Sequence, residues 1–139
     1  MPLTQNASDL IKLANFQTKL LKKQDQWLAA HGISFKEFTI MLHLRQSPTR
    51  NMRRVDLAEA VGLSASGVTR LLNPMQKIGL VEKEESVRDA RVSLVRLTEA
   101  GESLFTDAEN SFNERAEAFM ALLTEGQCAA LHELSETRI

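Results

Sequence analysis

Apolar residues recur at helical spacing through the N-terminal part of the chain. One face carries Ile11, Ala14, Leu21 and Leu28. The opposite side carries Lys12, Lys19, Lys22 and Lys23. This spacing predicts one long amphipathic helix from Ser8 to about Ala30, which His31 and Gly32 end.

A second helix is predicted from a capping pattern. Ser34 and Glu37 have the S-x-x-E spacing, in which each side chain accepts a hydrogen bond from the other residue's amide. The helix is therefore expected to begin at Ser34 and to end at about Gln46. Residues 47–51 are expected to form a loop, because Pro48 has no amide donor and disfavours helix in the residue before it.

The middle of the chain has the pattern of two short helices joined by a tight turn. The first begins near Arg54 and ends at Gly62, a residue suited to a left-handed C-terminal position. Ser64 caps the second helix, which Gly79 closes. Two helices connected by so short a turn must cross steeply, and this arrangement is the helix-turn-helix unit.

The second helix of this pair has an apolar and a polar face. The apolar face consists of Val68, Leu71, Leu72 and Met75. The polar face carries Ser66, Thr69, Arg70, Asn73 and Lys77. Pro74 has no amide hydrogen, so it cannot form the helical hydrogen bond to the Arg70 carbonyl, and a proline costs about 3 kcal/mol in a regular helix interior. A kink or a tightened turn is expected between Arg70 and Pro74.

The remainder of the chain predicts two strands and two further helices. Residues 80–84 and 92–96 have the pattern of short antiparallel strands around a polar tip, Glu85 to Arg91. Thr98 then caps a long fifth helix, and Thr124 caps a sixth that continues to the chain end. The expected fold class is mainly α with a small β-wing.

The formal net charge of −1 conceals an uneven distribution. Residues 1–44 carry a net charge of +2, residues 45–96 carry +4 and residues 97–139 carry −7. The positive charge is therefore concentrated in the helix pair and the strands. Phosphate contacts on a duplex require a basic surface, because counterion release supplies much of the affinity. The alternative interpretation is an unevenly charged surface that faces only solvent.

Several classes of protein are disfavoured by what the sequence lacks. It has no signal-peptide pattern and no apolar run approaching a membrane span, so the cytoplasm is the expected compartment, without membrane contact. It has no phosphate-binding glycine loop, nucleophile–base pair or metal-ligand spacing, so no enzyme, metal or cofactor is predicted. The single cysteine, Cys128, is expected to be a buried apolar residue rather than a redox sensor.

Five segments follow one another between Leu57 and Gly101. They are Leu57-Ala58-Glu59-Ala60-Val61-Gly62-Leu63-Ser64, Gly67-Val68-Thr69-Arg70-Leu71-Leu72, Lys77-Ile78-Gly79-Leu80-Val81, Asp89-Ala90-Arg91 and Leu97-Thr98-Glu99-Ala100-Gly101. Each alone is a weak signal. All five in this order, between terminal helices, resemble the MarR family of winged helix-turn-helix transcriptional regulators.

The resemblance implies a single MarR-like domain over residues 1–139. Residues 34–97 would form its winged helix-turn-helix DNA-binding part, and residues 1–33 and 98–139 its helical dimerisation part. MarR proteins are homodimers with interlocked terminal helices. The helix after the tight turn lies in the major groove and the wing in an adjacent minor groove. Many loosen on DNA when a small phenolic or other aromatic effector binds between the dimer helices and the DNA-binding part.

The candidate DNA contacts begin with one helix of the pair. They are Ser64, Ser66, Gly67, Thr69, Arg70 and Asn73. Arg70 can pair with two acceptors of guanine or hold a phosphate. Ser64 serves as the helix cap, and Gly67 lets the backbone come close to DNA. Arg53 and Arg54 are placed to meet backbone phosphate, and the alternative for each side chain is ordinary exposed helix surface.

The other candidates lie at the tip between the strands, where Arg88 and Arg91 flank Asp89. An arginine at such a tip can enter a narrow minor groove, because the groove has a negative potential. Phosphate would repel Asp89, and the resemblance implies that Asp89 orients the wing around Arg91. The alternative is a solvated salt bridge within a turn.

The leading hypothesis is a sequence-specific, homodimeric transcriptional repressor on a palindromic double-stranded operator, modulated by a small-molecule effector. The alternative is a winged-helix protein–protein interaction module without sequence-specific DNA binding. Pro74 and the modest charge of +4 favour that alternative. Salt separates the two hypotheses, because phosphate contacts give a steep loss of affinity with salt and a protein interface gives a shallow one.

Overall fold

The computed structural model describes residues 2–89 and 91–139. Met1 and Ala90, the central residue of the Asp89-Ala90-Arg91 segment, lie outside the described residues. The elements in chain order are α1 (Gln5–Leu28), α2 (Phe35–Gln46), β1 (Asn51–Arg53), α3 (Arg54–Val61), α4 (Ala65–Lys77), β2 (Val81–Glu85), β3 (Ser93–Leu97), α5 (Glu99–Met120) and α6 (Glu125–Ser135). The predicted fold class, mainly helical with a small β-wing, is confirmed.

Side-chain caps determine where the helices begin. The predicted caps at Ser34, Ser64, Thr98 and Thr124 are confirmed, since each side chain accepts a hydrogen bond from the amide three residues further on. The predicted start of α1 at Ser8 is wrong. The Thr4 side chain accepts from the Ala7 amide at 3.1 Å, and the helix therefore begins at Gln5.

The wing is a three-stranded antiparallel sheet in the order β1-β3-β2. The predicted loop at residues 47–51 is wrong at its end, because β1 starts at Asn51 and its Met52 pairs with Val95 of β3. Strands β2 and β3 each start one residue later than predicted, at Val81 and Ser93. The Leu80 amide is occupied by the Met75 carbonyl at 2.9 Å, so β2 begins only at Val81.

The hydrophobic core lies between α2, α3, α4, the sheet and the start of α5. Its fully buried side chains include Ile40, Met41, Leu44, Leu57, Val68, Leu72, Met75, Val95 and Phe105. Leu71, predicted to lie in the buried face of α4, is half-buried. Cys128, predicted to be buried, is also only half-buried, and its Sγ lies 3.8 Å from the Met120 carbonyl oxygen. The core therefore belongs chiefly to the winged part of the chain.

Helix α4 continues through Pro74 to Lys77. Of the kink or tightened turn predicted between Arg70 and Pro74, the tightened turn is wrong, because residues 70–74 are all α-helical. Pro74 is exposed and lies in the last turn of α4, and because it has no amide the Arg70 carbonyl lacks its usual donor four residues later. Ser66, Arg70, Asn73 and Lys77 therefore all lie on one helical element.

Thr98 joins the end of α4, the sheet and α5. Its amide donates to the Leu80 carbonyl at 3.0 Å, and its hydroxyl donates to the Gly79 carbonyl. The same hydroxyl accepts from the Gly101 amide at 3.0 Å. Gly101 is buried so closely against β2 that an added Cβ would lie 2.1 Å from the Leu80 carbonyl oxygen. Only glycine fits this position without a backbone shift.

Arg45 forms a second connection, between α2 and α5. Its Nη2 donates to the Glu102 carbonyl at 2.9 Å and to the Thr106 hydroxyl at 3.0 Å. Its guanidinium is ion-paired with the Glu102 carboxylate and lies 4.9 Å from the centroid of the Phe105 ring. One half-buried arginine thus fixes α2 against the first two turns of α5.

Helix α1 is held to the rest of the chain near its C-terminal end. Asp25 Oδ1 accepts from the Phe35 amide at 2.7 Å, and His31 Nε2, in a short 3-10 turn after α1, lies 2.8 Å from Ser111 Oγ. The Trp27 and Phe112 rings meet edge to face at 5.6 Å.

The N-terminal half of α1 instead presents exposed apolar side chains, Leu10 at 68%, Leu13 at 51%, Phe16 at 49% and Ile11 at 48%. Within the described residues, no helix is both long enough and apolar enough to cross a membrane.

We expect Gly101→Ala to lower the free energy of unfolding by about 1 to 3 kcal/mol, the usual cost of overpacking. The new methyl group would meet the Leu80 carbonyl, and α5 would have to shift away from the sheet. Urea denaturation measures the change.

Gly126→Ala is the matched control, because Gly126 also lies in the first turn of a capped helix and an added Cβ would meet only Thr124 Oγ1, at 3.9 Å. This variant should be neutral or more stable by up to about 1 kcal/mol, from helix propensity. Equal effects of the two substitutions would contradict a steric role for Gly101.

Candidate nucleic-acid interface

The turn between α3 and α4 is closed by local hydrogen bonds. Gly62 has a left-handed φ of 70°, and the next amide, that of Leu63, donates to the Ala58 carbonyl at 2.9 Å. Leu57 of α3 and Val68 of α4 are fully buried against the core. The two helices are therefore fixed relative to each other, and one side of α4 is left facing solvent.

The N-terminal end of α4 gathers three of the predicted contacts. Ser64 Oγ accepts from the Gly67 amide at 3.0 Å and lies 3.1 Å from Ser66 Oγ. A Cβ at position 67 would approach Ser64 Oγ to 3.2 Å, which is tight for a side chain. Both serines are exposed. A helix N-terminus that combines hydroxyl groups with the positive end of the helix dipole suits an anion such as phosphate.

The outward face of α4 carries the other three predicted contacts. Arg70 and Asn73 are exposed, and Thr69 is half-buried between α4 and α3. Arg54, at the start of α3, donates from Nη1 to Thr69 Oγ1 at 3.3 Å. Arg54 thus reaches the helix that carries Arg70 and Asn73. Nothing in the local sequence pattern indicates this contact, because the two residues lie on different helices.

A surface concavity of about 460 Å³ lies at the C-terminal end of the same face, lined by Asn73, Gln76 and Lys77. Gln76 was not among the candidates predicted from the sequence. Its position three residues after Asn73 on one helix could have identified it, because residues at that spacing share a face. The polar face of α4 therefore extends from Ser64 to Lys77.

Arg53 is oriented differently from its neighbour Arg54. Its Nε and Nη2 donate to the Asp56 carboxylate at 2.9 and 3.1 Å. The hydrogen bonds and the charge of Asp56 raise the pKa of Arg53. Because this guanidinium is already paired within α3, the structure separates Arg53 from the side chains that cluster on α4.

The wing tip, residues 86–92, carries the second group of predicted contacts. The Asp89 carboxylate accepts from the Arg91 amide at 3.0 Å, from Nε at 3.1 Å and from Nη2 at 3.2 Å. These bonds lower the pKa of Asp89, so the pair is intact at neutral pH and is lost only as the pH falls through that lowered value. The Arg91 side chain remains 90% exposed, and Arg88 is also exposed. Both arginines therefore point their charge toward solvent at the end of the wing.

Elsewhere in residues 45–96, several arginines are ion-paired with carboxylates of the same chain. Arg96 pairs across the wing with Glu82 at 3.5 Å and Glu84 at 3.9 Å. Arg50 pairs with Glu102 at 3.7 Å. In contrast, Arg70 and Lys77 of α4 and Arg88 of the wing tip form no ion pair with any described residue. The basic side chains outside ion pairs with described residues thus lie on α4 and at the wing tip, with Arg54 on α3 and Lys83 on β2.

In the part of the chain that the structure describes, no group of three or more His, Cys, Asp or Glu side chains could hold a metal ion. The three histidines are among those described residues, and the contact of His31 is with Ser111. The arrangement on α4 and the wing tip is one of hydrogen-bond donors and cations on a fixed scaffold. Such a surface suits binding to an anionic polymer.

Comparisons with known proteins show what the chain is similar to. The model of the MarR family matches residues 31–92. The chain is 31% identical over 87 residues to the transcriptional repressor MprA of Escherichia coli K12, which covers 63% of this chain and 49% of that protein. The chain thus spans about half the length of that curated relative.

Solved structures share the fold along nearly the whole chain. A MarR family transcriptional regulator from Streptomyces coelicolor, solved in complex with DNA, is similar with a TM-score of 0.82 at 22% identity, over 97% of this chain and 86% of that one. NadR in complex with 4-hydroxyphenylacetate is similar with a TM-score of 0.74 at 24% identity, over 96% and 94% of the two chains. The family match over residues 31–92 and this shared fold show that the chain is similar to proteins of the MarR family.

Proposed function

We propose that the chain is a sequence-specific DNA-binding transcriptional regulator, a homodimeric repressor that acts in the cytoplasm. The observation that carries the proposal is the polar, cationic face of α4, which lies on a fixed scaffold that also carries a wing with exposed arginines. No catalytic step is assigned to it. Its work is to recognise a duplex and to occupy it.

In this proposal α4 lies in the major groove. Arg70 donates in pairs to guanine O6 and N7, and Asn73 is suited to adenine N6 and N7. Ser64, Ser66 and the Gly67 amide region meet a phosphate at the helix N-terminus, where the backbone can come close. Arg54, beside Thr69, adds positive charge on the flank of the groove. The helix thus combines base contacts in its middle with phosphate contacts at its start.

The wing supplies a separate contact in the minor groove. A narrow minor groove attracts arginine through its negative potential. Asp89 holds Arg91 by both its amide and its guanidinium, which restricts the directions in which that side chain can extend. Arg88 is exposed at the same tip and is available to a neighbouring phosphate. Asp89 is therefore assigned a positioning role and the two arginines a contact role.

The dimer is formed in this proposal by residues 1–33 and 98–139, while residues 34–97 bind DNA. Support comes from the exposed apolar side chains on α1 and from Leu131 and Leu134 of α6, which are 46% and 61% exposed. A patch of this kind on a single chain marks an interaction surface. A two-fold dimer presents two α4 helices to half-sites one helical turn apart, which requires a palindromic operator.

A small aromatic effector is the proposed regulator of this dimer. A groove of about 160 Å³ lies between α1, α5 and α6, and its lining includes Leu20, Trp27, Phe112, Phe119 and Leu131. A comparable apolar cavity in another protein, of about 150 Å³, accommodates one benzene ring. The groove is therefore of a size for one phenolic ring between the dimer helices.

The second candidate function is a protein–protein interaction module. The net charge of −7 over residues 97–139 favours it, because α5 and α6 offer an acidic surface to a basic protein partner. The unpaired cations on α4 favour DNA instead. Dependence of affinity on salt distinguishes the two functions.

Selection from a random duplex library should enrich a palindrome whose half-centres are about 10 base pairs apart. On that duplex, Arg70→Ala should weaken binding by about 5- to 150-fold, the worth of one bidentate arginine–guanine contact. Arg91→Ala should weaken it in the same direction and leave the dimer intact. Fluorescence anisotropy at two salt concentrations measures both.

Arg138→Ala is the control for these variants, since it removes one positive charge from the exposed C-terminal end of the chain. Operator affinity should not change in it. Unchanged affinity in both Arg70→Ala and Arg91→Ala would reject the assigned surface. Failure to enrich any sequence, with a shallow salt dependence, would favour the interaction module.

Leu10→Glu should convert the dimer into a monomer without unfolding it, because Leu10 is 68% exposed in the single chain and would become buried only against a second copy. Sedimentation equilibrium measures the association state, and thermal unfolding checks the fold. Lys12→Glu, a charged substitution at a neighbouring exposed position of α1, should leave the dimer in place. A Leu10→Glu protein that remains dimeric would contradict the assignment of this face.

A further inference from the structure

Among the described residues, Thr69 differs from the helical threonines Thr18, Thr39 and Thr106 because its hydroxyl donates to no carbonyl of its own helix. Thr18 and Thr106 each donate to the carbonyl four residues earlier, both at 3.1 Å. In the part of the chain that the structure describes, the hydrogen bond of the Thr69 side chain is the one that it accepts from Arg54 Nη1, at 3.3 Å. The Thr69 proton is therefore not used by its own helix.

The contact with Arg54 changes what this hydroxyl can do. A threonine hydroxyl has one proton to donate and two lone pairs to accept with. A guanidinium that donates to one lone pair withdraws electron density from the oxygen, which strengthens the remaining O–H as a donor and weakens it as an acceptor. The positive charge also disfavours a second donor near the oxygen. The hydroxyl is thus polarised toward donation.

The residues around Thr69 limit the directions in which its hydroxyl group can donate. Arg70 and Asn73 are exposed on the same helix, and Ser66 lies one turn before Thr69. Thr69 itself is half-buried, so its position is set by the packing of α4 against α3 as well as by Arg54. A half-buried hydroxyl held from one side has a narrower range of orientations than an exposed one.

We infer that Arg54 fixes the Thr69 hydroxyl as a hydrogen-bond donor toward the major groove, so that this pair of residues selects against cytosine at one base of each half-site. The inference rests on the proposed DNA-binding function. It assigns to Arg54 a positioning role in sequence selection, in addition to any contact with phosphate.

The selectivity follows from the edges of the bases. Guanine presents O6 and N7, thymine presents O4 and adenine presents N7, and all of these atoms accept a hydrogen bond in the major groove. Cytosine presents the N4 amino group, which is a donor. A hydroxyl polarised by Arg54 would face a donor there, while the same hydroxyl without Arg54 could turn and accept.

The test compares operator duplexes that differ by one base pair, after selection of the operator by the full-length protein. At one position of each half-site, replacing the preferred base by cytosine should weaken binding by about two- to tenfold, the worth of one hydrogen bond. Thr69→Val should remove this penalty and Thr69→Ser should keep it. Arg54→Met should reduce or remove it, and the double variant should add no further change.

Arg53→Met is the matched control, because it removes the same charge one residue away from a side chain that bonds Asp56 rather than Thr69. It should keep the penalty against cytosine. Loss of a phosphate contact by Arg54→Met would lower affinity for all duplexes alike and reduce the salt slope by about one, so it is separable from a change in base preference. Thermal unfolding and sedimentation confirm that each variant is folded and dimeric.

Persistence of the penalty in Thr69→Val would show that the hydroxyl does not select the base, and persistence in Arg54→Met would show that Arg54 does not set its polarity. Either result overturns the inference while leaving DNA binding in place. Absence of any enriched operator for the unsubstituted protein would overturn the proposed function and the inference together, and it is observed before any variant is compared.

Discussion

The close approach of α5 to the Leu80 carbonyl is the constraint on which the remaining geometry depends. Gly101 allows the approach, and Thr98 bonds both the Leu80 and the Gly79 carbonyl groups. Through these contacts the end of α4, the start of β2 and the first turn of α5 meet at one point. A helix that binds a groove must keep its orientation relative to the wing, and this junction holds the two together.

Charge pairing decides which of the basic residues face a partner. The basic segment has a net charge of +4, yet its arginines are not equivalent. Arg45 is half-buried against Phe105, Arg96 is shared between two glutamates of the wing, and Arg53 is bound by Asp56. The arginines outside ion pairs with described residues are Arg54 at the start of α3, Arg70 on α4 and Arg88 at the wing tip. The net charge of a segment therefore gives only its overall sign. The ion pairs within the fold determine which of its cations remain available to a binding partner.

Local rules were sufficient to predict most of the helices and several of their ends. Ser34, Ser64, Thr98 and Thr124 act within three residues of themselves, so their patterns can be recognised in the sequence. Strand β1 could not be predicted in this way, because three residues carry no periodicity and its pairing partner lies more than forty residues later. The contact of Arg54 with Thr69 and that of Arg45 with Glu102 are likewise set by tertiary packing. The candidate residues were predicted from position and resemblance, and their mutual contacts required the structure.

The carboxylate of Asp25 couples the position of α2 to that of α1. It accepts from the Phe35 amide, so the start of α2 is tied to the helix that precedes it by a bond as well as by the chain. In the proposed dimer, a small rotation of α1 would move α2 with it, together with the elements that pack against α2. In that dimer, the separation of the two α4 helices would then follow the position of α1, and a ligand that moved α1 would alter how the pair fits DNA.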